Sequence, residues 1–231
     1  MVFDLFGTLA GRFPVPAYHQ TLARMANTLM CPRDCFLREW NACYADQERG
    51  VFPRASDTIK SVCARLGASP SSNQVAAAER LLPDFIRCIC RPRPNVLDTL
   101  AEVRLRSIKI GMISNCPPEV PPVWHDSPFA QLVDAAVFSC AVRIRKPDAE
   151  IYRLAASALN TPISDCLFVG DGGAHELSGA KRAGMEPVLL SVPGEEDPYH
   201  LSPEASAWAG AKVQSLSEVA AKLLRLGCRR S

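Results

Sequence analysis

The sequence predicts an α/β fold: a doubly wound, Rossmann-like parallel sheet interrupted near its start by an inserted four-helix domain. Three observations predict it. Short, nearly continuous apolar runs recur along the chain, as strands buried on both faces require. Amphipathic stretches of helical period separate them, the alternation that builds a parallel sheet. One long segment, residues 13–93, shows helical period alone.

In chain order, Val2-Phe3-Asp4-Leu5-Phe6 is a buried strand that stops at the turn Gly7-Thr8. Further strands are expected at 108–113 (IKIGMI), 135–140 (AAVFSC), 166–169 (CLFV) and 187–191 (PVLLS). Helices are expected at 96–105, 149–159 and 176–183. Within 13–93, one helical face carries Tyr18, Leu22, Met25 and Leu29, and a second carries Phe36, Trp40 and Tyr44. A third carries Ile59, Val62, Cys63 and Leu66, and a fourth Leu81, Leu82, Phe85, Ile86 and Ile89. The expected organisation is therefore a core of 1–12 and 94–231 with a helical cap of 13–93.

Composition narrows the functional classes. Of 231 residues, 48% are hydrophobic and 22% charged, as in a packed globule rather than a disordered chain. No run approaches the ~20 apolar residues of a membrane span, and a net charge of +2 does not suit a dedicated nucleic-acid binder. Charge is unevenly shared: 13–93 holds 11 basic and 7 acidic residues, and the remainder 15 and 17. A basic lid over an acidic core suits a small anionic substrate.

The opening residues lack the basic start and apolar run of a secretory signal. The ten cysteines are scattered, with no Cys-x-x-Cys pair. They read as reduced, mostly buried small hydrophobes of a cytoplasmic protein. The tail 227–231 reads as frayed.

Two tempting motifs fail on spacing. Gly170-Asp171-Gly172-Gly173 invites a dinucleotide loop, but the third glycine position is His175. His175-Glu176 invites a zinc-protease helix, but the second histidine position is Gly179.

Four polar positions sit where strands of such a sheet end, and ligands bind outside those carboxyl ends. Asp4 closes the first strand, Ser114-Asn115 follows the second, Lys146 precedes a helix in Arg145-Lys146-Pro147-Asp148, and Asp171 follows CLFVG. Two carboxylates, a hydroxyl and an ammonium suit a divalent metal and a phosphate.

These residues resemble the haloacid dehalogenase superfamily. Asp4-Leu5-Phe6-Gly7-Thr8-Leu9 is similar to its first motif, Ser114 to its second, Lys146 to its third, and Gly170-Asp171 with Glu176 to its acidic fourth. The helical insert resembles that family's C1-type cap. The resemblance implies a Mg²⁺-dependent hydrolase of small phosphorylated metabolites, with Asp4 as nucleophile through a covalent aspartyl-phosphate. Mg²⁺ would be held by Asp4, Asp171 and the Phe6 carbonyl, with Glu176 supporting it. Ser114, the amide of Asn115 and Lys146 would bind the phosphoryl group. The turn Arg49-Gly50-Val51-Phe52-Pro53-Arg54 is expected to face the core, with Arg54 selecting anions.

Two positions depart from the family's phosphatases. Phe6 stands where they carry a second aspartate that serves as general acid–base. An aromatic there is what the haloacid dehalogenases show, so metal-independent dehalogenation is an alternative, as is a catalytically impaired relative. The Gly170-Asp171 pair points back toward metal chemistry. Glu176 stands for the more usual Asp and keeps the charge.

Overall fold

The computed structural model describes residues 1–195 and 202–219; the tail 227–231, with Cys228, lies outside them. Six strands form one parallel sheet, β1 (Val2–Asp4), β2 (Gly111–Ser114), β3 (Ala135–Phe138), β4 (Leu167–Gly170), β5 (Glu186–Leu190) and β6 (Ala211–Val213). Their spatial order is β3-β2-β1-β4-β5-β6. Strand order reverses at β1, where a doubly wound sheet opens its ligand crevice.

Each strand places alternate residues on opposite faces, and both faces are covered. Phe3, Met112 and Val169 join one apolar cluster; Val2, Ile113 and Phe168 join the other. This double burial explains why the strands read as apolar runs rather than as alternating patterns. β2 begins later than expected because the Gly111 N–H donates to the Met1 carbonyl at 2.7 Å, which sets the register. β3 ends earlier because Ser139 starts a short helix whose hydroxyl accepts from the Cys116 N–H at 3.0 Å.

Within 13–93 the chain is helical, as expected, but in six segments rather than four. They are α1 (Val15–Thr28), α2 (Arg33–Ala42), α3 (Tyr44–Glu48), α4 (Ala55–Arg65), α5 (Ser72–Glu79) and α6 (Leu81–Ile89). The face Phe36-Trp40-Tyr44 is divided at Cys43 into α2 and α3. α5 offers only Val75 and Ala78 to the interior, too little for its period to show; its start is fixed by a capping box between Ser71 and Gln74. Leu22, Met25, Phe36, Trp40, Ile59 and Val62 form a separate core. Phe85, Ile86 and Ile89 of α6 pack instead into the sheet's own cluster, so α6 joins the two.

Further helices are α7 (Val96–Leu105), α8 (Val120–His125), α9 (Ser139–Val142), α10 (Ala149–Ala158), α11 (Glu176–Ala183) and α12 (Pro203–Ala207). α7 and α11 have the expected bounds. All nine described cysteines are free thiols. Among the described residues no helix is long and apolar enough to cross a membrane.

Candidate active site

Register brings the polar positions together. Asp4 pairs with Ile113 and Phe3 with Val169, so Asp4, Ser114 and Gly170 end three adjacent strands at one edge. Asp171 follows Gly170 directly, and Glu176 begins α11 beyond a short turn. One carboxylate oxygen from each of Asp4, Asp171 and Glu176 lies within 4.8 Å of the others. These carboxyls come from residues separated by up to 172 positions in the chain.

Lys146 reaches this cluster from the loop before α10. Its Nζ donates to Asp4 Oδ1 and, at 2.5 Å, to Glu176 Oε2. All three are buried, at 6% exposure for Asp4, 2% for Lys146 and 1% for Glu176. Burial pushes the Asp4 and Glu176 carboxyls above the ordinary range; Asp171 adds to the rise at Asp4, and Lys146 opposes it at both. Burial pulls the Lys146 ammonium down, but Asp4 and Glu176 outweigh it and hold the group charged.

Neighbouring residues fix each donor. Asn115, expected to assist the phosphoryl group, has its side chain committed elsewhere: Oδ1 accepts from the Lys146 N–H at 2.8 Å, and Nδ2 donates to the Lys146 carbonyl at 3.0 Å. It clamps the backbone that presents the ammonium. Glu176 Oε1 accepts from the Gly172 N–H at 3.0 Å, and its backbone carbonyl accepts from the Tyr152 hydroxyl at 2.9 Å. Asp171 Oδ1 accepts from the Gly173 N–H at 2.9 Å.

Glycine makes two of these approaches possible. A Cβ on Gly7, whose φ is +87°, would lie 2.0 Å from Asp171 Oδ2. A Cβ on Gly170 would lie 2.1 Å from Glu176 Oε1. Arg93 braces the turn after Asp4 by donating to the Gly7 carbonyl at 2.8 Å and the Ala10 carbonyl at 3.1 Å. Nothing in the local sequence around Asn115, Gly7 or Arg93 announces these contacts, because each is made across the sheet edge.

Two buried oxygens at the site have no hydrogen-bond partner, Asp4 Oδ2 and Ser114 Oγ. Buried polar atoms are seldom left unpartnered, so these positions fit a ligand's atoms. With every carboxyl ionised, three negative charges face one ammonium, and a divalent cation would neutralise the excess. The all-oxygen donor set fits Mg²⁺.

Arg54 is not part of this cluster. It is exposed and lines an open cleft of about 400 Å³ with Arg87, Glu79, Glu119 and Asp126. The turn carrying it does meet the sheet side of the molecule: a Cβ on Gly50 would lie 2.0 Å from the Cys140 carbonyl oxygen, and Glu48 pairs with Arg145 at 3.0 Å. His175 is exposed, with φ +53°.

A family model described as haloacid dehalogenase-like hydrolase matches residues 1–184. The chain belongs to this family. As a haloacid dehalogenase-like hydrolase it is 31% identical over 203 residues to a phosphoglycolate phosphatase of Salmonella typhi, covering 83% of this chain and 80% of that relative. It is 28% identical over 129 residues to a glyceraldehyde 3-phosphate phosphatase of Methanopyrus kandleri, 54% of each chain. The chain spans about a third to a half of the length of the first curated relatives it matches. A solved 2-haloacid dehalogenase of Pseudomonas syringae pv. tomato aligns over 97% of both chains with a TM-score of 0.69 at 20% identity, a likeness of fold.

Proposed function

We propose that this hydrolase is a Mg²⁺-dependent phosphatase of small phosphorylated metabolites, working in the cytoplasm through an aspartyl-phosphate on Asp4. The observation that carries the reading is the buried group of three carboxylates around one ammonium. Dehalogenation needs no metal, so a carboxylate group placed to share one divalent cation favours the phosphatase. The names of the curated relatives support the same side.

In this reading Asp4, Asp171, the Phe6 carbonyl and Glu176 would hold the metal, which when bound would supply positive charge against the nucleophile and the phosphoryl group. One Asp4 oxygen attacks phosphorus as the P–O bond to the leaving group breaks, the leaving oxygen taking a proton from solvent because Phe6 has none to give. Water then attacks phosphorus, loses its proton to solvent, and the bond to Asp4 breaks to release phosphate. Ser114 Oγ donates to a phosphoryl oxygen. Lys146 holds Asp4 aligned and supplies positive charge to the transferring group. Asn115 keeps Lys146 in place. Residues 13–93 act as a cap whose movement admits substrate and excludes water, over a core of 1–12 and the chain from 94 onward.

Phe6 favours a second reading, metal-independent 2-haloacid dehalogenation, because a departing halide needs no proton. The two separate cleanly. Phosphate release from a panel of phosphate monoesters, abolished by EDTA and restored by Mg²⁺, supports the phosphatase. Chloride release from 2-chloropropionate in EDTA overturns it. Turnover of neither, with no Mg²⁺-induced rise in Tm, marks a catalytically impaired relative.

A further inference from the structure

A partly enclosed cavity beside the site bears on what group leaves. It lies between the helical stretch and the sheet edge, and reaches Phe6, two residues beyond Asp4, and Pro117, three beyond Ser114. Six rings enclose it, those of Phe6, Phe13, Tyr18, Trp40, Tyr44 and Phe85. The free space is about 20 Å³, room for about one water-sized group. The cavity therefore takes the end of a small molecule.

Its polar lining is sparse and incomplete. The Tyr18 hydroxyl is already engaged, accepting from Trp40 Nε1 at 2.7 Å. Two buried atoms on lining residues have no partner: Gln47 Nε2, on a side chain 1% exposed, and Glu119 Oε1. Each such orphan costs about 1–3 kcal/mol, which a ligand can recover. An amide N–H donates and a carboxylate accepts, and a hydroxyl is the small neutral group that answers both. No lysine, arginine or histidine lines the cavity; apart from tyrosines, Glu119 is its one ionisable group among the described residues. Glu119 also borders the open cleft, where Arg54 and Arg87 stand with Glu79 and Asp126, and neither arginine lines the cavity. A carboxylate entering the cavity would lose its water and meet no counter-charge.

We propose that this cavity receives the far end of the leaving group of the phosphatase reaction, and that Gln47 and Glu119 select a small, uncharged, hydroxyl-bearing end while rejecting carboxylates. The proposal rests on the phosphatase reading and adds the substrate class to it.

A matched pair tests it. Glycerol 3-phosphate and 3-phosphoglycerate share a three-carbon skeleton and differ at the far end, a hydroxymethyl in one and a carboxylate in the other. With the full chain, Mg²⁺ and pH 8, kcat/KM should favour glycerol 3-phosphate by about tenfold or more. Glu119→Gln should narrow that ratio severalfold by raising turnover of 3-phosphoglycerate. Equal turnover, or preference for the carboxylate, overturns the proposal and leaves the phosphatase standing. Hydrolysis of other phosphate monoesters with neither of this pair does the same. Absence of Mg²⁺-dependent turnover of every phosphate monoester overturns both.

Discussion

Replacing Lys146 by Met removes the one ammonium between two buried carboxylates while keeping a side chain of similar length. Asp4 and Glu176 are 6% and 1% exposed, so neither recovers hydration when the ammonium goes. Breaking a buried pair from one side costs about 3–5 kcal/mol. In a domain of this size that is a fall of roughly 6–20 °C in Tm. The sign of the pH dependence follows from the same geometry. Without Lys146 the two carboxyls move further up, because the group opposing their rise is gone. A carboxyl with a raised folded-state pKa contributes stability that is complete at low pH and lost as pH rises through that value. The variant should therefore lose more stability at pH 8 than at pH 5, and Mg²⁺ should recover part of the loss at pH 8. Urea denaturation at both pH values, with and without Mg²⁺, measures it. A loss below about 1 kcal/mol at pH 8, or a larger loss at pH 5, would refute the reasoning.

Three further outcomes follow from named contacts. Asn115→Ala removes both bonds to the Lys146 backbone and should cost about 1–3 kcal/mol in urea melts, lowering kcat while leaving the Mg²⁺ midpoint of the thermal shift unchanged. Gly7→Ala places a methyl on the Asp171 carboxylate at a positive φ; the Mg²⁺-induced rise in Tm should vanish in calorimetry although the chain still folds. Burial pushes the Glu119 carboxyl up to about 7 from 4.5, with Glu79 adding to the rise. Its contribution is complete below pH 4.5 and lost above 7, so Glu119→Gln should gain up to about 3 kcal/mol relative to the native chain between pH 5 and pH 9.

Much of this fold was legible in the sequence because the apolar runs and helical periods are strong. α7 and α11 begin and end where their periodicity does, and α11 ends at Gly184 in the left-handed conformation that stops a helix. What was not legible had weak local signals. α5 buries little, and β6 is three residues whose partner β5 supplies the pairing. The acids at the strand ends were visible as polar residues in apolar settings, whereas the contacts that Gly7, Asn115 and Arg93 make at the site are with residues far away in sequence. The same holds for Gln47 and Glu119, which belong to α3 and the loop before α8 and meet at one cavity. Arg54 read as a site residue from its charge and turn; the fold sets it in the open cleft instead.

The most direct measurement traps the phosphoryl group. The protein is mixed with a radiolabelled phosphate monoester that it turns over, quenched in acid within one turnover, and digested for peptide mapping. The account predicts hydroxylamine-labile label on the peptide containing Asp4, formed with Mg²⁺ and absent in EDTA or in Asp171→Asn. Label on any other residue, or label at Asp4 that is indifferent to Mg²⁺ and to Asp171, would contradict it.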